Sequence, residues 1–305
     1  MTLKTIVIYA ESQELLVMNK SWAIVNKILP FSCVDGPGNR LVIFLQGCNF
    51  RCLNCHNPYT ISLCKDCGDC VSTCPHQALS FNNHRVIWQT SVCQQCDTCI
   101  NTCVHHSTPM TYKYSVEDIL KIIRKYLPFL NGITLSGGEA TMQLPFIEKL
   151  FRAIKQANDL NHLTCFIDSN GYLHQTGWQK LENVMDGAMI DLKAWDNQIN
   201  KELTGRDNLR VKKTIEYLAS INKLYEVRFL LIPNHTDLQV NAKYIACFLM
   251  KIDSNIKIRI NAFHNRGIRG IAQNWEPATK QQVEQFAAQL RQYGLHNIVL
   301  PSLYL

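Results

Sequence analysis

Apolar residues recur along this chain in short runs and in helically spaced sets, and the two kinds of pattern alternate. Apolar runs predict strands at residues 24–30 and 41–45, joined by a turn at 35–38, and then at 132–135, 163–167, 187–190, 226–232 and 257–261. Helical spacing predicts helices at 115–126, where Ser115 and Asp118 can form a cap, and at 145–157, 208–222, 238–251 and 280–292. The apolar tail 298–305 is expected to close one side of the sheet.

Strands that alternate with helices predict a parallel sheet with right-handed crossovers. Counted with the strand at 41–45, the parallel set has six members, which is enough for a partial (β/α)6 barrel. The expected fold class is therefore α/β. Parallel barrels place their chemistry at the carboxyl ends of the strands, so the residues that follow each strand become candidates for a site.

Three cysteines follow the strand at 41–45 directly, at Cys48, Cys52 and Cys55. Thiolates select iron–sulfur clusters, zinc or Cu(I). Three thiolates at this spacing can hold a [4Fe–4S] cluster that leaves one iron open to a small molecule. A structural zinc site that borrows a distant fourth ligand is the alternative.

Eight further cysteines form an internal repeat with an offset of 29 residues, in which Cys64, Cys67, Cys70 and Cys74 match Cys93, Cys96, Cys99 and Cys103. Each half has the spacing of a two-cluster bacterial ferredoxin, in which the fourth cysteine serves the other cluster. We therefore expect one [4Fe–4S] cluster on Cys64, Cys67, Cys70 and Cys103 and a second on Cys93, Cys96, Cys99 and Cys74. Paired zinc ribbons are the alternative. Together with the three-cysteine loop, the prediction is three clusters.

The overall composition changes this picture little. The formal net charge of +7 falls to about +2 once three clusters are counted as charged units, so it does not indicate nucleic acid as a partner. Fourteen cysteines without a recognisable secretion signal favour metal ligation in a reducing cytoplasm over disulfides. No apolar run approaches the length of a membrane span, so no membrane association is expected.

Polar residues or glycines follow each predicted barrel strand. Gly137, Gly138 and Glu139 follow one strand, and the backbone there can approach a ligand closely. The other strand ends carry Asp168 and Ser169, then Asp191, Leu192 and Lys193, and finally His264. Arg228 lies within a predicted strand and needs an anionic partner if it is buried.

The run Asp35-Gly36-Pro37-Gly38-Asn39-Arg40, the three cysteines and His56-Asn57-Pro58 together resemble the signature of radical S-adenosylmethionine (radical SAM) enzymes that activate glycyl-radical enzymes. The resemblance runs from about residue 22 to the end, and the YjjW-type subgroup is the nearest match. It implies a radical SAM barrel at 18–59 and 113–305, a ferredoxin-like insert at 60–112, and a dispensable extension at 1–17.

The resemblance also implies roles for single residues. Cys48, Cys52 and Cys55 would hold the cluster that binds S-adenosylmethionine, and Arg228 would face the bound glycyl loop. The remaining contacts to S-adenosylmethionine would come from a group of strand-end and loop residues: Asn54, His56, Gly137, Gly138, Glu139, Asp168, Ser169, Asp191, Leu192, Lys193 and His264. A monovalent cation would lie beside Asp168 and Asp191.

The predicted function is that of an activating enzyme. It would cleave S-adenosylmethionine reductively to a 5′-deoxyadenosyl radical and remove a hydrogen from a glycine Cα of a glycyl-radical enzyme, with a flavodoxin or ferredoxin-type protein as electron donor. One alternative is a radical SAM enzyme that acts on a small molecule or peptide. Another is a non-catalytic iron–sulfur electron carrier or sensor.

Overall fold

The computed structural model describes residues 22–302, so the extension expected at 1–17 lies outside the described residues. The strands are β1 (Trp22–Ser32), β2 (Arg40–Leu45), β3 (Leu79–Asn82), β4 (Arg85–Trp88), β5 (Tyr112–Ser115), β6 (Gly132–Gly137), β7 (Thr164–Ser169), β8 (Gly187–Asp191), β9 (Leu224–Leu231), β10 (Ile258–Ala262) and β11 (Ile298–Val299). The helices are α1 (Thr98–Thr102), α2 (Val116–Tyr126), α3 (Leu144–Gln156), α4 (Gln175–Leu181), α5 (Asn197–Thr204), α6 (Leu209–Ser220), α7 (Ala242–Ile252) and α8 (Lys280–Gln292).

Nine of these strands form one sheet in the order β11-β10-β9-β8-β7-β6-β2-β1-β5. From β2 through β6, β7, β8 and β9 to β10, every neighbouring pair is parallel, which confirms the α/β class and the six parallel strands expected from the sequence. β11 extends this set in parallel, while β1 and β5 are antiparallel additions at the opposite edge. All parallel strands therefore end on one side, where the cysteine loop follows β2.

The sheet core is built as parallel strands require, with apolar residues buried on both faces. In β2, the adjacent side chains of Leu41 and Val42 point to opposite faces and are both fully buried, and helices such as α3 cover the outer face with Ile147, Leu150 and Phe151. The predicted cap at the start of α2 is confirmed, because Ser115 and Asp118 form a reciprocal capping box.

Some boundaries differ from the pattern for a physical reason. The apolar period predicts a helix from residue 238, but α7 begins at Ala242. The carboxylate of Asp237 accepts hydrogen bonds from the backbone amides of Trp195 and Asp196, at 2.9 and 2.6 Å, and its carbonyl accepts from the amide of Asn241 at 3.1 Å. Residues 237–241 therefore form a separate turn, anchored to the segment after β8. The helices α4 and α5 and the β3–β4 hairpin were not expected from the periodicity.

The turn between β1 and β2 folds over the inner face of the sheet. The fully buried Arg40 holds it there, with Nη1 donating to the carbonyl of Pro37 and Nε to the hydroxyl of Thr134. Burial lowers the pKa of the Arg40 guanidinium to about 10. Because the turn is fixed, the carbonyl of Val34 lies within 3.1 Å of an Arg228 nitrogen.

The eight-cysteine segment forms a small unit with its own core, made of Cys70, Leu79, Cys99 and Ile100. The 29-residue repeat appears in its geometry, since the hydroxyls of Thr73 and Thr102, which are matched by that offset, meet at 3.2 Å. Among the described residues, the structure contains no helix that is long and apolar enough to cross a membrane.

Candidate active site

A cavity of about 510 Å³ opens where the parallel strands end. Most of the site residues predicted from the sequence line it: Cys48, Cys52, Asn54, Cys55, His56, Gly137, Gly138, Glu139, Asp168, Ser169, Asp191, Lys193, Arg228 and His264. Leu192 is the exception, because its side chain is buried in the core and its backbone amide donates to the carbonyl of Arg228. The structure thus gathers residues that are up to 216 positions apart in the sequence, from Cys48 to His264, around one space.

The three-cysteine loop is fixed by backbone hydrogen bonds on two sides. On one side, the amides of Gly47 and Cys48 donate to the carbonyls of Thr60 and Ile61, at 2.8 and 2.9 Å. On the other side, Arg51 and Leu53 donate to carbonyls at the end of α5, at Thr204 and Leu203. The loop therefore presents its three thiols from a backbone with little freedom to move.

The glycine pair at the end of β6 lets a second strand end meet this loop. A Cβ on Gly138 would lie 2.4 Å from the carbonyl oxygen of Gly47, and a Cβ on Gly137 would lie 2.1 Å from that of Leu45. The amide of Glu139 donates to the carbonyl of Gly47 at 2.7 Å. Only glycine permits this close approach, which brings the β6 end and the cysteine loop to the same wall of the cavity.

The carboxylate of Glu139 is buried and connects two strand ends. One oxygen accepts from the hydroxyls of Thr141 and Ser169, at 2.6 and 2.8 Å, and the other accepts from the amide of Asn170 at 2.7 Å. Burial raises the pKa of Glu139, and these donors oppose that shift. Its side chain thus organises the rim, while its backbone and the two glycines face the cavity.

An ion pair borders the cysteines at the end of β8. The ammonium of Lys193 donates to the carboxylate of Asp191 at 2.9 Å. Burial lowers the pKa of Lys193, but Asp191 and the neighbouring Cys52 more than offset it, so the net shift is upward. Lys193 therefore stays protonated and gives the cavity wall a fixed positive charge.

The inner wall carries a second, larger charge cluster around Arg228. This guanidinium contacts Glu226 at 2.7 Å and Asp168 at 3.1 Å, which supplies the anionic partners that a buried arginine needs. Burial raises the pKa of Asp168 to about 6, against the opposing effect of Arg228. The remaining oxygen of Asp168 accepts from the hydroxyl of Ser136 at 3.0 Å.

Two buried polar atoms of cavity-lining residues have no hydrogen-bond partner among the residues that the structure describes. They are the side-chain oxygen of Asn54 and Nδ1 of His264. His264 is held in place by His56, whose Nε2 lies 3.0 Å from the carbonyl oxygen of His264, with the two rings 4.5 Å apart. Buried polar atoms are rarely left unpaired, so these two suit a polar ligand in the cavity.

The donor set fits a cluster and a charged, polar ligand. Burial raises the pKa of the Cys52 thiol to about 12 and also raises the pKa values of Cys48 and Cys55, so three thiolates here need a compensating cation. The same cavity offers carboxylates, an ammonium, the backbone of two glycines and the two buried polar atoms described above. This combination fits an iron–sulfur group with a zwitterionic nucleoside beside it.

The eight-cysteine segment brings its thiols together as two groups of four. Cys64, Cys67, Cys70 and Cys103 surround one small cavity, and Cys74, Cys93, Cys96 and Cys99 surround the other. The remaining walls include apolar side chains, such as Val86 in the first and Trp88 in the second. Each group mixes cysteines from both halves of the repeat.

Several lining residues were not singled out from the sequence. Asn170 donates its side-chain amide to Asn49 at 2.7 Å and so joins the β7 end to the cysteine loop. Phe263 and Asn261 lie at the β10 end, and Pro301 comes from the segment after β11. Asn170 directly follows Asp168 and Ser169, so its position after a strand was an available signal, whereas Pro301 carried none.

This chain is similar to several known proteins. The sequence model of the Radical SAM superfamily matches residues 42–242. Pyruvate formate-lyase 1-activating enzyme of Escherichia coli K12 is 29% identical over 289 residues, which cover 89% of this chain and 98% of that protein. Pyruvate formate-lyase-activating enzyme of Staphylococcus aureus USA300 is 27% identical over 244 residues, covering 77% and 78%.

Solved structures share the fold at low identity. QueE from Escherichia coli has a TM-score of 0.52 and 13% identity, with 94% of this chain and 97% of that chain covered. SuiB of Streptococcus suis bound to the precursor peptide SuiA has the same TM-score and identity, covering 86% and 48%. Because the family match spans more than half of the chain, the chain belongs to the radical SAM superfamily, as a radical SAM enzyme similar to the pyruvate formate-lyase activating enzymes.

Proposed function

We propose that this protein is an oxidoreductase that activates a partner glycyl-radical enzyme. The observation that carries the proposal is the single cavity in which three thiols, a Gly-Gly-Glu strand end, the Asp191–Lys193 pair and Arg228 face one another. The similarity to pyruvate formate-lyase activating enzymes over most of the chain supports the same reaction class. The partner would be a glycyl-radical enzyme, whose own substrate stays unspecified.

In this proposal, Cys48, Cys52 and Cys55 hold a [4Fe–4S] cluster, which supplies one low-potential electron and an open iron when bound. The strand end at Gly137, Gly138 and Glu139 and the ammonium of Lys193 would orient the amino and carboxylate groups of S-adenosylmethionine. Asn54 and His264 would face its nucleoside, because each has an unpaired polar atom and lines the cavity. His56, which lines the same cavity and contacts His264, would lie beside them. Asp168, Ser169 and Asp191 offer oxygen ligands for a monovalent cation beside the substrate.

The chemistry balances with one electron and one S-adenosylmethionine. The electron breaks the S–C5′ bond, so that sulfur leaves as methionine and the 5′-deoxyadenosyl carbon keeps the unpaired electron. That carbon then takes a hydrogen atom from a glycine Cα, giving 5′-deoxyadenosine and a glycyl radical. The chain's task would be to position the reacting atoms and keep out water, and Arg228, held by Glu226 and Asp168, would contact the glycyl loop.

The proposal includes the eight-cysteine insert as a pair of [4Fe–4S] clusters of the YjjW-type arrangement. The two cavities lined by four cysteines each have the donor set that such clusters need. Their role would be to pass electrons from a flavodoxin or ferredoxin-type donor in the cytoplasm to the three-cysteine site.

The decisive experiment is anaerobic incubation of the iron-loaded protein with reductant, S-adenosylmethionine and a candidate glycyl-radical enzyme. A glycyl-radical doublet in the EPR spectrum, with an equal amount of 5′-deoxyadenosine, is the expected result. The candidates are glycyl-radical proteins whose genes neighbour the gene of this protein. Release of 5′-deoxyadenosine without a glycyl-radical doublet for any of them would favour a small-molecule or peptide substrate. If neither appears, an electron carrier or sensor is the better assignment.

A further inference from the structure

We propose that the Cys64 group (Cys64, Cys67, Cys70 and Cys103) is the immediate electron donor to the three-cysteine site, and that Gln46 is the positioning residue that holds the two together. The Cys93 group (Cys74, Cys93, Cys96 and Cys99) would then be the outer member of the relay. This inference rests on the proposed function, because it takes both groups to hold clusters.

The first argument comes from where the chain crosses between the barrel and the insert. The Cys64 group contains the first and the last cysteine of the insert, Cys64 and Cys103. Both lie close to a backbone hydrogen bond in which Ser62 donates to the carbonyl of His106 at 3.0 Å. This hydrogen bond thus joins the two connections between the barrel and the insert beside the Cys64 group. The ligands of the Cys93 group come from the middle of the insert.

The second argument is a continuous bonded path. The amide of Cys48 donates to the carbonyl of Ile61 at 2.9 Å, and Ile61 also lines the active-site cavity. From Ile61 the main chain reaches Cys64 in three residues. One hydrogen bond and a short stretch of backbone therefore connect a ligand of the three-cysteine site with a ligand of the Cys64 group.

The third argument concerns Gln46, which is 1% exposed and lies at the end of β2. Its side-chain amide donates to two carbonyls, those of Tyr59 and Ser62, at 2.7 Å each. Its own backbone carbonyl accepts from the side chain of Gln143 at 3.0 Å. Both side-chain hydrogens are thus used to fix residues 59–62, the segment that carries Ile61 and leads to Cys64.

A competing contact joins the Cys93 group to the barrel. Arg269, in the loop after β10, donates to the carbonyl of Ile100 at 2.7 Å and to the side chain of Asn101 at 2.5 Å, at the end of α1. This contact reaches the barrel through a loop that carries none of the three cysteines. It orients the insert, whereas the Gln46 contact connects it to the cysteine loop itself.

With clusters bound, the Cys93 group would hold the one that accepts an electron from a low-potential flavin or iron–sulfur donor. The Cys64 group would hold the one that passes this electron to the three-cysteine site, each donor being oxidised by one electron as its acceptor is reduced. The electron would be consumed in cleaving one S-adenosylmethionine. No proton or other co-reactant is required before that bond breaks.

The test compares two matched double variants by EPR in the reduced, iron-loaded protein with S-adenosylmethionine. C67A/C70A removes two ligands of the Cys64 group, and C96A/C99A removes their equivalents at the 29-residue offset. If the Cys64 group is the neighbour of the three-cysteine site, C67A/C70A should leave the EPR signal of the three-cysteine cluster unsplit and slowly relaxing. C96A/C99A should leave the spin coupling between that cluster and the Cys64 group intact. The opposite pattern overturns the proposal, as does a wild-type protein that shows no coupling or holds iron for one cluster alone.

Gln46→Met tests the positioning role, because methionine has similar length but cannot donate. Cleavage of S-adenosylmethionine driven by a protein donor should fall about tenfold, while cleavage driven by dithionite and the iron content stay unchanged. Asn26→Ala is the control. The side chain of Asn26 donates to the side-chain oxygen of Gln46, at 3.4 Å, and so leaves the two donated hydrogen bonds of Gln46 in place. Equal loss with both reductants would overturn the positioning role. This readout requires no glycyl-radical partner, so it is independent of whether that partner is correct.

Discussion

The three-cysteine loop and the eight-cysteine insert use the same ligand, and they differ in what surrounds it. Around Cys48, Cys52 and Cys55 the walls include charged and polar side chains, and the cavity of about 510 Å³ leaves space for a second molecule. Around the insert cysteines, apolar side chains close in on each group, Val86 on the first and Leu79 and Trp88 on the second. A site of the first kind has room for a substrate, whereas one of the second kind has room for little beyond a group held by its four thiols.

The difference arises from how each region is supported. The residues of the three-cysteine loop are fixed by main-chain hydrogen bonds to two neighbouring segments. Glycines allow a third element, the end of β6, to contact the loop. The insert has a small core of its own, in which four buried residues supply little stabilisation. The predictions below separate the two regions, from the largest expected effect to the smallest.

Removing a ligand from the open site should abolish the chemistry. We expect Cys52→Ala to reduce 5′-deoxyadenosine formation with dithionite to the level without protein, and to lower iron by about a third. The matched variant C67A/C70A should lose a similar share of iron yet keep dithionite-driven cleavage. Liquid chromatography of the nucleoside and iron analysis measure both. Equal loss of cleavage in the two variants would show that the regions are not separable.

Filling the space beside the cysteine loop should have the next largest effect. Gly138→Ala would place a methyl group 2.4 Å from the Gly47 carbonyl oxygen, which forces the β6 end away from the loop. Because a shift of about 1 Å in a positioned group can cost about 100-fold, we expect kcat/KM for S-adenosylmethionine to fall by about that factor.

The control for this variant is Gly267→Ala. Gly267 has a φ of +78°, a backbone conformation that favours glycine, but nothing lies within 4 Å of an added Cβ. It should lower stability by about 1 kcal/mol and leave kcat/KM unchanged. If both variants lose activity alike, a general loss of stability and not the contact with Gly47 would be the cause.

The unpaired oxygen of Asn54 gives a smaller, binding-specific effect. If a nucleoside amino group pairs with it, Asn54→Leu removes one hydrogen bond, and KM for S-adenosylmethionine should rise about five- to tenfold. Thermal stability should stay the same or increase slightly, because a buried unpaired oxygen has been removed. An unchanged KM, determined from initial rates with dithionite, would place the nucleoside elsewhere.

The smallest effect concerns pH and the charge cluster under the cavity. Burial raises the pKa of Glu226, but Arg259 and Arg228 outweigh burial and hold it below the usual 4.5. The cluster therefore stabilises the folded barrel above pH 4.5, and this stability is lost as pH falls from 4.5 through the lower folded-state pKa. Each unit of depression is worth about 1.4 kcal/mol.

Hydrogen exchange of β9 amides across this pH range measures the loss. Glu226→Gln should exchange faster at pH 6 and show a flatter response to acid, because glutamine does not titrate. A wild-type response as flat as that of Glu226→Gln would mean that the ion pairs with Arg228, Arg259 and Lys257 do not contribute to the stability of β9.

Much of this molecule was determined locally by the sequence. The β6, β8 and α8 segments are found within two residues of their predicted ends, because continuous apolar runs and a capping residue such as Thr279 act over a few positions. The cysteine spacings and the 29-residue repeat are likewise read without a structure, since they depend only on distance along the chain. Residues that follow strands could be nominated because all parallel strands end on one side.

Only the tertiary structure decided which of those residues face the cavity and what holds them. Leu192 has the right position in sequence but points into the core, while Asn170 was not nominated and joins two strand ends. Gln46 and Glu139 act through partners 13 to 31 residues away, and such contacts follow from how the elements pack and not from any local pattern. The physical reason is that side-chain hydrogen bonds form only after folding has brought distant backbone groups within reach.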